Sequence, residues 1–263
     1  MKKFRKIELV PLTNSKDLNL DVVKTVKLQV NRNDEVDKCL AELFDHVKKN
    51  PDIKIGNDVG NETFVSTQIK SSSNKKVYTF PEPNPICIYY NIANEHLEKS
   101  YDLKNKINSK PQNYDAFEDY EYFSNYFNIT SQGIIFLITT IEGFINQFFI
   151  EDSYLINGKT MTKKNLEWAK LDEKINVILP ALIGINFKET NPNEYSKICS
   201  TNSLRNDLIH LKQSSKSNNT FYQELFKKTI DFKHFECSEA VYTFLAKLKP
   251  KYFTEKATTA NSR

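Results

Sequence analysis

SQGIIFLITTIEGFINQFFI, residues 131–150, decides how this chain is read. Roughly twenty mostly apolar residues are enough for a helix to cross a bilayer. The second half, however, carries Glu142, Asn146 and Gln147, which hydrocarbon penalises. A helix buried in a protein core reconciles the two facts, and it points to a mainly α fold. On that helix Thr139, Glu142 and Asn146 stand at i, i+3 and i+7, one polar line along an apolar cylinder. A carboxylate on such a line needs a cation, because an unpaired buried charge is costly. Arg205 is the obvious mate and Lys174 the alternative.

Outward from this helix the composition agrees with a folded core. The chain has 263 residues, 39% hydrophobic and 12% aromatic, which suits one large domain or two small ones. A net charge of +4 permits a nucleic-acid partner without demanding one, since binding depends on where charge is placed. Cys39, Cys87, Cys199 and Cys237 form no CxxC pair. With a basic start, MKKFRKIELV, that lacks a long apolar run, they read as four reduced thiols of a cytoplasmic protein with no metal site and no membrane anchor.

PEPNP, residues 81–85, cannot extend a helix and marks the main boundary. Before it, residues 1–85 read as a small N-terminal α+β accessory module. Strands are expected over 22–30, 63–70 and 75–80, with SSSNKK (71–76) as a turn. A helix is expected over 35–49, with Val36, Leu40, Leu43, Phe44 and Val47 on one face. After it, residues 86–250 read as a helical bundle. Helices are expected over 88–108, over 114–127, and over 133–150 with Thr130 or Ser131 as its cap. Gly158 marks a turn, and a fourth helix over 163–179 is expected to end at Pro180. Asn191, Pro192 and Glu194 make a helix-start signal for a helix running to about residue 213. SSKSNN (214–219) reads as a loop, two last helices cover 221–230 and 236–249, and 251–263 reads as a disordered tail.

The long late helix contains RNDLIH, residues 205–210. At about 100° per residue, Leu204, Leu208 and Leu211 form a core stripe. Asn202, Arg205, Asn206 and His210 share an arc of about 140° on the other side, and Asn206 and His210 stack at i and i+4. Ile198 and Ile209 fall in the same arc, so this face is expected to pack against something. Arginine grips phosphate oxygens as a planar fork, and histidine moves protons near neutral pH. Other chemistry lacks its signature: there is no GxSxG elbow, no Walker loop and no GxGxxG. His46, His96 and His234 read as surface or satisfied residues, and the aromatic run over 114–127 as core or dimer packing.

LRNDLIH resembles the R-x4-6-H signature of the HEPN superfamily, in which a polar residue commonly follows the arginine. SQGIIFLITTIEGFINQFF resembles that family's early helix with its embedded glutamate, and LDEKINVILP the segment between the two. The resemblance covers about residues 88–250 and implies a HEPN-like bundle of four or five helices, commonly a homodimer with two motifs facing one cleft. It implies metal-independent RNA cleavage without a cofactor. His210 would be general base or acid, Arg205 would hold the scissile phosphate, and Asn206 would orient the histidine or the phosphate. Glu142, Asn146 and Asn202 would be accessory polar residues. It further implies a role in antiphage defence, abortive infection or a toxin–antitoxin pair, with an antitoxin or regulator as partner. The family also contains non-catalytic interaction modules that regulate a partner such as a nucleotidyltransferase, which is the alternative expectation.

Overall fold

The computed structural model of the chain describes residues 4–9, 34–50, 56–59, 62–74, 77–109, 116–211, 222–250 and 252–255. The protein is mainly helical, with small sheets. It divides into two compact units, Leu9–Asn84, and Met1–Glu8 together with Pro85–Arg263. From the N-terminus the order begins β1 (Ile7–Leu9), α1 (Asp34–Lys49), β2 (Gly56–Val59), β3 (Glu62–Lys70) and β4 (Val77–Pro81). It continues with α2 (Pro85–Ser109), α3 (Ala116–Asn146), β5 (Ser153–Ile156), β6 (Lys159–Thr162) and α4 (Lys163–Trp168). Then come α5 (Leu171–Glu173), a π turn (Lys174–Ile178), α6 (Leu179–Ile183) and α7 (Phe187–Thr190). The chain closes with α8 (Pro192–Ile209), α9 (Gln223–Ile230), α10 (His234–Leu248) and β7 (Phe253–Glu255).

The smaller unit holds α1 and the sheet β2-β3-β4. β2 is absent from the sequence expectation because glycine, asparagine and aspartate disfavour extended pairing. GNDV becomes a strand through its partner, with Gly56 opposite Val65 and Val59 opposite Glu62. β4 lies on the other side of β3, from Ser66 opposite Pro81 to Lys70 opposite Val77. Pro81 ends that outer strand, a position where its missing N–H is tolerated. The strand expected over 22–30 lies outside the described residues, as does the loop expected over 214–219.

In the larger unit α2 and α3 form the central pair, and α8, α9 and α10 pack around them. Helix α3 runs unbroken where the sequence reading has two helices. Thr130 and Ser131 do not cap. Their hydroxyls donate back to the Tyr126 and Phe127 carbonyls, each at 2.7 Å, so the chain has no reason to leave the helix there. The helix ends at Asn146, and i→i−3 bonds from Gln147, Phe148 and Phe149 tighten its last turn. By length and composition α3 passes for a membrane span. In this fold Ile134, Leu137, Ile138, Ile141, Phe144 and Ile145 are fully buried within the unit.

The turn expected at Gly158 is the tip of an unforeseen hairpin. Asn157 and Gly158 both have positive φ, 48° and 77°, the requirement of a two-residue turn that follows strand twist. The helix expected over 163–179 is broken at Ala169 and Lys170, both extended at ψ near 149° and 148°. It does not stop at Pro180 either, but runs on to Ile183 and ends at Gly184 with φ 70°. The π turn just upstream explains this. Leu179 donates to Lys174 across the wider ring, and that widening relieves the clash a proline makes with the preceding turn.

Helix α8 starts at Pro192 as predicted, but Asn191 makes no side-chain cap. The Asn191 Oδ1 accepts instead from the Thr190 hydroxyl at 2.9 Å. The helix ends at Ile209, short of the expected residue 213. Consequently Leu211 is 55% exposed rather than core, Leu208 is half-buried, and Ile209 is 47% exposed. The tail expected to be disordered from Lys251 instead contains β7, which pairs with β1. Residues 4–8 likewise belong to the helical unit and not to an N-terminal module. Ile7 exchanges two bonds with the Asn91 side-chain amide at 2.9 Å each, Asn94 donates to the Arg5 carbonyl at 2.6 Å, and Ile7 is 1% exposed.

Candidate functional site

The site is built where the end of α8 meets the second half of α3. An apolar helix that buries one carboxylate must find it a cation, and α8 supplies one. Arg205 Nη2 donates to Glu142 Oε2 at 2.9 Å, with the side chains 21% and 32% exposed. Arg205 Nη1 donates to Asn206 Oδ1 at 3.1 Å. Arg205 Nε is shut off from solvent and has no partner among the described residues. The guanidinium is thus oriented from two sides and still reaches the surface.

His210 is the C-cap of α8, with φ −102° and ψ 39°, and it is exposed. Its backbone N–H donates to the Asn206 carbonyl at 2.9 Å. Asn206 therefore touches both ends of the motif, the guanidinium through its side chain and the histidine through its backbone. Among the described residues no hydrogen bond joins the Arg205 guanidinium to the His210 ring. The two groups lie on one stretch of α8, one anchored to α3 and the other at the C-terminal end. Asn202, one turn before Asn206, is half-buried.

The rest of the polar line on α3 has separate partners. Thr139 donates to the Ile135 carbonyl at 2.8 Å and stays within its own helix. Asn146 Oδ1 accepts from Lys174 Nζ at 2.9 Å. Lys174 is 3% exposed and donates also to the Glu167 carbonyl at 2.7 Å. Burial lowers its pKa from the ordinary value, while the Glu142 and Glu167 carboxylates pull it back up. Between the two candidate cations for Glu142, Arg205 makes the bond and Lys174 acts through space.

The π turn that carries Lys174 is fastened to α8 as well. Asn176 donates to Asp172 at 2.9 Å and to the Tyr195 hydroxyl at 2.5 Å, and Tyr195 donates to Asp172. Farther along, Lys228 of α9 donates to Asp207 of α8 at 2.7 Å. The sequence reading named Lys174 but missed its bond to Asn146. The available signal was a lysine inside an apolar run. Compared with known proteins, the chain matches no family model, no curated protein and no solved structure.

Proposed function

We propose that the helical unit is a metal-independent endoribonuclease of the HEPN type. The observation that supports this best is an arginine held by Glu142 and Asn206 at a partly exposed position, with an exposed histidine closing the same helix. In the proposed reaction His210 takes the proton of a ribose 2′-hydroxyl. The 2′-oxygen attacks the adjacent phosphorus, and Arg205 balances the charge that grows on the phosphate oxygens. The His210 imidazolium then gives a proton to the departing 5′-oxygen, leaving a 2′,3′-cyclic phosphate and a 5′-hydroxyl and restoring the neutral ring. DNA lacks the attacking group and would be a poor substrate. The setting proposed for such an activity is antiphage defence or a toxin–antitoxin pair.

A second reading draws on Ile209 and Leu211, exposed on either side of His210. Apolar side chains flanking the motif favour a covered face. In the ribonuclease reading a second copy of the chain covers it, and in the other a regulated partner protein does, with no cleavage.

Total RNA incubated with the protein in EDTA separates the two. Wild type is expected to cut and to leave 5′-hydroxyl ends. His210→Ala is expected to lose about 10²–10⁴-fold in rate, the usual worth of general acid–base catalysis. Arg205→Ala should also be inactive, and Arg205→Lys, which keeps a cation for Glu142, controls for folding. Cleavage that survives both alanine variants, or that needs Mg²⁺, would remove this mechanism.

A further inference from the structure

An arginine that is already paired makes a weak anion site, because the carboxylate beside it cancels much of its field. Glu142 and Arg205 together carry no net charge. A phosphate approaching such a pair would feel a dipole. Lys174 changes that sum. Lys174 is 3% exposed, and its ammonium sits at the C-terminal ends of two helices, bonded to Asn146 at the last residue of α3 and to the Glu167 carbonyl near the end of α4. Helix C-termini are negative and stabilise a buried cation. Of the two carboxylates that act on it, Glu167 is exposed and screened by water, whereas Glu142 is half-buried. One effective carboxylate thus stands against two cations, Arg205 and Lys174.

We infer that Lys174 is the electrostatic positioning residue of this site: buried by the π turn and bonded to Asn146, one turn along α3 from Glu142, it leaves Arg205 with a net positive field for an RNA phosphate. The inference rests on the ribonuclease reading for its ligand class. Lys174 touches no substrate. It acts through Glu142, whose charge it offsets, and through Asn146, which it holds one turn farther along α3. The π turn serves this by turning Lys174 into the protein while Asn176, two residues on, fastens the turn to Tyr195 of α8.

The experiment measures binding of a fluorescent 2′-O-methyl oligoribonucleotide, whose attacking hydroxyl is blocked, by anisotropy at low salt. Lys174→Met is expected to bind about tenfold more weakly, the scale of one unscreened unit charge at a partly buried site. Glu142→Gln added to Lys174→Met removes one negative charge and keeps an acceptor for Arg205, so binding should return to within about threefold of wild type. Lys174→Gln, which keeps a donor, replaces the methionine variant if that one does not fold. Equal binding by wild type and the neutral variants overturns the inference and leaves the ribonuclease reading standing. Weakened binding that Glu142→Gln does not rescue also overturns it, since Lys174 would then be only a strut. Binding that depends on Lys174 in a protein that cuts no RNA sustains the anion site and sinks the ribonuclease. A wild type that does not bind the oligonucleotide overturns the assignment of Lys174, and the EDTA assay decides the reading on its own.

Discussion

At the scale of single residues, the buried polar groups carry the consequences. His234 is 2% exposed at the first position of α10, and its Nε2 lies 2.9 Å from Ser100 Oγ, which also bonds Thr130. Tyr101, Tyr126 and Phe232 surround its ring. Burial, together with the nearby Lys104 ammonium, pushes its pKa from 6.5 down to about 4. A group with a depressed folded pKa lends stability above its unfolded pKa. That stability drains as pH falls from 6.5 toward 4, because only the unfolded chain takes up the proton. The full loss is about 3 kcal/mol. Urea unfolding at pH 7 and pH 4.5 should show wild type losing roughly 2 kcal/mol more than His234→Gln over that interval. Parallel losses in the two proteins would refute it. The sequence leaves His234 as a surface or satisfied residue, and its depth could not be read, since Ser100 and Thr130 come from two other helices. The Glu142–Arg205 bond was legible for a different reason: an apolar helix has few ways to pay for a carboxylate, and the chain offered two cations for it.

Among elements, α3 shows what periodicity reveals and what it hides. The apolar spacing marks its buried face correctly, but the supposed caps turn inward and the two expected helices fuse. Gly133, just past those hydroxyls, lies against α2. A Cβ there would lie 2.7 Å from Leu97 Cδ2, 2.8 Å from its Cγ and 3.3 Å from the Ala93 carbonyl oxygen. Glycine lets the two helices close on each other, so it belongs to the packing and does not mark an end. Gly143, ten residues on, differs, since its Cβ would meet only the tip of Ile86 at 3.1 Å. Alanine in a helix gains about 1 kcal/mol over glycine, and overpacking a tight core costs about 1–3 kcal/mol. Gly133→Ala is therefore expected to destabilise by on the order of 1 kcal/mol, and Gly143→Ala to be neutral or stabilising. Chemical denaturation of both variants checks this, and a more stable Gly133→Ala would show that α2 and α3 are not held at that distance by the glycine. The π turn and β2 stayed hidden for the same kind of reason. One depends on how Pro180 meets Asn176 in three dimensions, and the other on a partner strand.

Across the whole molecule, the segment 4–8 alters how the chain is partitioned. The PEPNP boundary suggests cutting near residue 85 to obtain the helical unit, yet that cut discards a segment that packs into the unit. Phe4 is 8% exposed and packs edge-on against Phe235, with ring centres 5.8 Å apart. Arg5 donates to both Glu239 oxygens at 2.9 and 3.0 Å, lies 4.6 Å over the Tyr242 ring and pairs with Glu255. Asn94 links the Arg5 carbonyl to the Ser238 hydroxyl, and Tyr90 completes that buried chain. Removing residues 1–8 strips these partners from Asn91 and Asn94 and opens the sites of two apolar side chains, each worth about 1.5–3 kcal/mol when buried. The loss should be about 3 kcal/mol or more, enough to lower the melting temperature of the helical unit by roughly 5–10 °C. The smaller unit is a different matter. It lies between Glu8 and Pro85 in the chain, so replacing residues 10–84 with a flexible Gly/Ser linker keeps every one of these contacts and adds only a modest loop-closure cost. Thermal unfolding of the full chain, of a chain lacking residues 1–8, and of the linker-bridged chain should therefore rank the truncated one lowest. Should residues 86–263 alone melt as high as the linker-bridged chain, the N-terminal strand is an ornament on the bundle, and the cut at 85 is the right one after all.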